Sequence, residues 1–156
     1  MSTPLIHYVL LFECHADYFE CHEVLEEAWQ EGGRQDLGYA ALIQYAVAHY
    51  HARRGNTIGS QKSILALKQK LAMAAADLER HGIVIDEFAR QLEDWPLPEM
   101  LPLNHRLRQQ IERLKLTFPA THLTFDELVH KHLYRDRTSV ISERLQALDI
   151  RKKARR

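Results

Sequence analysis

Three long stretches of helical periodicity, each opened by an Asp or Asn and closed by glycine, limit this chain to packed helices. The first starts at Asp17 and ends at Gly32-Gly33. The second runs from about Asp36 to Arg54 and stops at Gly55. The third starts at Asn56 or Thr57 and reaches about Arg80, with Gly82 behind it. Short polar side chains accept hydrogen bonds from the free N–H groups of a first helical turn, and glycine suits the residue that ends a helix. No stretch alternates with the two-residue period of a strand between hairpin turns. The prediction is an all-α fold, a single-domain multi-helical bundle, and the short connections make its long helices antiparallel neighbours. With 156 residues, 46% of them hydrophobic, the chain can fill one core.

The remaining segments are shorter. Leu5 to Cys14 reads as a short helix, with a strand as the alternative for its apolar run Tyr8 to Phe12. Asp86 is expected to cap a helix through Phe88 and Leu92 to Asp94. Trp95-Pro96-Leu97-Pro98 and Pro102 then interrupt the pattern. A helix from about Asn104 to Lys115 follows, and Thr124-Phe125-Asp126-Glu127 has the form of a capping box for a helix reaching about Tyr134. Ser139 to Leu148 is the last expected helix, before the basic run Arg151 to Arg156. The organisation read from this is a helical core over residues 1–98, a helical extension over 99–150 packed on it, and a basic tail over 151–156.

The first long helix carries polar residues where apolar ones are expected. At ~100° per residue, Tyr18, His22, Leu25 and Trp29 share a sector of about 60°. Glu26 lies beside that sector, and His22 and Glu26, four apart, can touch. A carboxylate near a buried stripe is costly unless it is paired. The second helix has an expected stripe of Tyr39, Ala40, Ile43, Val47 and Tyr50, with Gln44 and His51 on its edge and Arg54 one turn beyond. His49 falls on the outer face in this phase. The third helix, with its stripe Ile64, Leu67, Leu71, Ala75 and Leu78, reads as plain core, and Lys62, Lys68 and Lys70 as solvated. The expected centre is therefore an interior polar cluster of His22, Glu23, Glu26, Gln44, His51 and Arg54 between the first two long helices.

The aromatic pair Tyr18-Phe19, the run His22-Glu23-Val24-Leu25-Glu26-Glu27-Ala28-Trp29, the triplet Leu42-Ile43-Gln44 and the turn Arg54-Gly55-Asn56 together resemble the prokaryotic family called domain of unknown function 309. The resemblance spans roughly Phe12 to Leu71. It implies a small all-helical bundle and points to His22, Glu23, Glu26, Trp29 and Gln44, and it brings no assigned reaction. The chain departs from the family pattern at Glu13-Cys14-His15-Ala16, where an Asn-x-Gly turn is frequent.

The polar set suggests three kinds of chemistry. In the first, His22 and Glu26, joined by His51 and with Glu23 from the side, ligate a divalent metal. The zinc-protease pattern is excluded, because it needs histidine at the position of Glu26. In the second, Glu26 with His22 or His51 moves protons, Arg54 holds a small anionic ligand and Gln44 orients it. In the third, the same residues form a paired network that fixes helix packing in a non-catalytic scaffold or interaction protein. Trp29, Trp95 and the proline-rich connector are the features an interaction role would use, and a homo-oligomer is a further partner candidate.

Lys plus Arg and Asp plus Glu each total 21, so the net charge is zero and gives no pull toward nucleic acid or a membrane surface. Cys14 and Cys21, seven apart on one continuous helix, would lie roughly 10 Å from each other, too far for a disulfide. Two thiols and no secretory leader are read as a reduced, cytoplasmic protein.

Overall fold

The computed structural model describes residues 2–134. The expected helix 139–148 and the basic run 151–156 lie outside the described residues. Among those described, the chain is helical throughout: α1 (Thr3–Leu10), a π-helical turn (Leu11–His15), α2 (Tyr18–Glu31), α3 (Leu37–Arg53), α4 (Thr57–Arg80), α5 (Ile85–Gln91), α6 (His105–Lys115), α7 (Phe125–Val129) and α8 (Lys131–Tyr134). One isolated bridge, Ile83 to Leu103, ties the segments before α5 and α6. No helix among the described residues is long and apolar enough to cross a membrane.

The capping residues set the helix starts. Asp17 accepts from Glu20 N–H at 3.2 Å, Asp36 from Tyr39 N–H at 2.9 Å and Asn56 from Gly59 N–H at 2.9 Å. Asn104 and Thr124 do the same for α6 and α7. Each such bond contributes about 1 kcal/mol. The helix predicted from Asp86 differs. Val84 occupies the capping position without a side-chain bond, and Asp86 sits in the first turn of α5, where a negative charge favours the helix N-terminus. The helix predicted from Thr124 to Tyr134 breaks at His130, giving α7 and α8.

The largest departure is at the N-terminal end. The α-helix stops at Leu10, the π turn adds the residues to His15, and Ala16 takes left-handed angles, φ 48° and ψ 35°. Cys14 and Cys21 therefore do not share one helix. Both thiols are free: Cys14 is exposed, and Cys21 is buried with its S–H donating to Tyr8 C=O at 3.3 Å. An L-residue in the left-handed region costs about 1–2 kcal/mol, a cost glycine avoids. Ala16 thus shows why a glycine-bearing turn is natural before this aromatic pair.

α3 is the centre of the bundle, packed against α2 on one side and α4 on the other. It is consequently buried around most of its circumference, through Gly38, Tyr39, Ala41, Leu42, Tyr45, Ala46, Ala48, His49 and Tyr50. The predicted stripe caught Tyr39 and Tyr50 but otherwise took the wrong phase. Ala40, Ile43 and Val47 are only half-buried. A helix covered on two sides has no single apolar face for periodicity to find. The core continues through Leu5, Tyr8, Val9 and Phe12 of the N-terminal segment, Leu25 of α2, and Leu67 and Leu78 of α4.

Candidate functional site

α2 turns Tyr18, Cys21 and Leu25 into the core. His22 follows Cys21 by one residue, so its ring emerges at the flank of that buried stripe. Its Nε2 lies 2.5 Å from Glu26 Oε2, and its Nδ1 lies 3.4 Å from Glu23 Oε1. The Phe19 ring meets the imidazole edge-on at 6.1 Å, and Gln30 donates to the other Glu26 oxygen at 3.4 Å. One ligand atom from each of His22, Glu23 and Glu26 can be chosen so that all lie within 4.8 Å of one another. The trio borders an open depression of about 740 Å³, with Lys131 of α8 at its side. Of the predicted cluster, His22, Glu23 and Glu26 thus come together, but they are half-buried rather than interior and lie along one helix, with 26% of the His22 side chain and 37% of Glu26 exposed.

The α3 members of the predicted set go elsewhere. His51 Nδ1 lies 3.3 Å from Asn56 Nδ2, and burial, then the Arg54 charge, lower its pKa. Arg54 places its guanidinium over the Tyr50 ring at 5.4 Å. Gln44 lines a separate, largely apolar cleft of about 580 Å³ between α3 and α4, which Trp29 borders from α2. The motif residues therefore divide into a polar group of His22, Glu23 and Glu26 and an apolar one containing Trp29 and Gln44.

Two titratable groups lie deeper than any of these, and both escaped the sequence reading. His49, expected outside, is 5% exposed, its ring boxed by Phe12, Tyr18 and Tyr45 at 4.7–4.8 Å. Burial first, and then the nearby Arg53 charge, push its pKa down to about 3. It is a neutral ring whose Nε2 has no hydrogen-bond partner among the described residues. The signal that could have found it was the spacing Leu42, Tyr45, His49, which continues the true inner face of α3.

Glu13 is the other. Its side chain is fully buried, bound by Arg108 through both guanidinium Nη atoms at 2.6 and 3.0 Å, by Lys115 at 2.8 Å and by Leu101 N–H at 2.8 Å. Burial works to raise its pKa, but these donors outweigh it and hold the carboxyl below its ordinary value. This junction joins the π turn to α6. A second junction joins the same region to the following segment. Arg53 lies over the Tyr18 ring at 4.6 Å, donates to Ala16 C=O, and donates to Leu128 C=O at 3.1 Å. Lys131 adds a bond to the capping Asp17 at 2.7 Å, and Tyr50 Oη meets His132 Nδ1 at 2.5 Å.

Comparison with known proteins supports the family resemblance carried by the motif. A family model described as domain of unknown function (DUF309) matches residues 5–63. The chain is also similar to the protein YpuF of Bacillus subtilis (strain 168), described as uncharacterized. It is 34% identical over 167 residues, spanning 96% of this chain and 96% of that protein. No solved structure matches.

Proposed function

The chain belongs to the DUF309 family, and we propose that within it the α2 group of His22, Glu23 and Glu26 binds a divalent metal ion. The observation that carries this reading is the convergence of one imidazole and two carboxylates, each able to offer an atom within 4.8 Å of the others, beside an open depression. Nitrogen and oxygen donors bind zinc-like ions at about 2.0–2.2 Å, so two donors on one ion sit roughly 3–4 Å apart. The His22–Glu26 pair would open slightly from 2.5 Å to admit an ion. Glu23 faces the other ring nitrogen at 3.4 Å. There it serves either as a third ligand or as the acceptor that fixes the ring's tautomer, as carboxylates behind metal-bound histidines do. A mixed imidazole–carboxylate set suits zinc, manganese or iron better than calcium. His51 is not in the converging group. The proposal assigns binding and no reaction.

The competing reading, a pair that only supports its own helix, draws on the fact that both ring nitrogens already face carboxylates of α2. Calorimetric titration of the full chain with ZnCl₂ and MnCl₂ separates the two. Metal binding predicts saturation at one ion per chain, lost in both His22→Gln and Glu26→Gln. No heat of binding, or binding that survives both substitutions, leaves the helix-supporting pair as the answer.

A further inference from the structure

We infer that the cleft between α3 and α4 binds a small amphipathic anion, a medium-chain alkyl or an aromatic carboxylate. The cleft shares no residue with the His22 group, so the two readings stand or fall separately. Its floor is made of small or fully buried side chains: Ala41 and Ala74 are 4% and 2% exposed, and Leu67 is fully buried. Half-buried Trp29, Ile43 and Val47 form its walls. At about 580 Å³ it falls in the range of small-molecule sites, which are largely apolar with a few polar groups that orient the ligand.

The polar residues of the lining are Gln44, Ser63 and Lys70, and the one charge among them is the Lys70 ammonium. Lys68, two residues earlier, pairs with Glu93 at 2.9 Å. Lys70 has no ion-pair partner among the described residues and no acid beside it in the lining. An apolar trough with a lone cation complements a molecule that is apolar along its body and negative at one end. The lining runs from Leu37 to Val47 on α3 and from Ser63 to Ala74 on α4, roughly 15 Å at the helical rise.

The test uses the full chain with Trp95→Phe, which leaves Trp29 as the one tryptophan of two. Trp95 is 54% exposed and outside the cleft. Titration with sodium decanoate is expected to change Trp29 emission saturably. Adding Lys70→Ala is expected to weaken decanoate about tenfold, the scale of one charge-assisted contact, while leaving decanol unchanged. Ala40→Leu, at a half-buried wall position, is expected to abolish both responses with the helical circular dichroism intact. A flat emission titration overturns the proposal, as does equal decanoate affinity with and without Lys70. A concentration-dependent dimer that Ala40→Arg dissolves would assign the cleft to a second copy of the chain and also overturn it.

Discussion

The Glu13 side chain is wholly withdrawn from solvent and gripped by Arg108, Lys115 and a backbone N–H. The Glu26 side chain keeps 37% of its surface and leans on a histidine one turn away. Both are carboxylates on the early helices, yet they solve the same desolvation problem differently. Glu13 is the expensive one, and its cost is met by cations 95 and 102 residues further along the chain. Glu26 is cheap because water still reaches it, and its partner is local. A buried charge with remote partners is a structural joint. A half-exposed charge with a near partner retains unused coordinating capacity, which is why the second and not the first is the proposed metal site.

Removing one side of the joint is the most direct way to break the contrast. Arg108→Ala leaves Glu13 buried with Lys115 as its remaining cation, and is expected to cost about 3 kcal/mol in chemical denaturation. Adding Glu13→Gln to that variant should recover part of the loss, which a double-mutant cycle reads directly.

His49 sharpens the contrast as a buried base whose Nε2 has no hydrogen-bond partner among the described residues. Its folded pKa of about 3 lies below the 6.5 of the unfolded chain. Between those values only the unfolded state takes up the proton, so stability falls as pH falls through the window. The expected loss by about pH 5 is ~2 kcal/mol, and His49→Phe should flatten that slope whatever it does to stability at neutral pH. Glu13 acts in a lower window. Its depressed pKa gives stability that is present above the ordinary value of 4.5 and lost as pH falls through its folded value.

Ala16→Gly relieves the left-handed turn beside the Glu13 joint and is expected to raise stability by about 1 kcal/mol in thermal unfolding, a gain of roughly 2–4 °C. Glu26→Gln completes the series. Its effect on stability is expected to stay below about 0.5 kcal/mol, as for other exposed helical pairs, while metal binding is lost.

The same contrast explains what could be read from the sequence. The capped starts at Asp17, Asp36, Asn56, Asn104 and Thr124 were legible because a cap is a bond between residues three apart. The His22–Glu26 pair was legible for the same reason, being set by one helical turn. Glu13 looked unremarkable because nothing local announces Arg108 or Lys115. His49 was placed outside because Tyr39, Ala40, Ile43, Val47 and Tyr50 offered a plausible stripe, and only the neighbours on both sides of α3 reveal which face is inner. Gln44, His51 and Arg54 were grouped with His22 on that mistaken phase. The π turn was invisible, because insertion of its extra residue into a helix leaves no apolar signature.

The contact at Gly38 has a consequence for the cleft. A Cβ there would lie 3.0 Å from the backbone of Asp77 and Leu78, so α3 and α4 touch main chain to main chain at this end. Along the same pair the cleft is lined from Leu37 to Val47 on α3 and from Ser63 to Ala74 on α4. The missing methyl therefore sets how closely the two rods approach at this end. That approach is fixed by a residue outside the cleft lining, and even an alanine there would press against the α4 backbone.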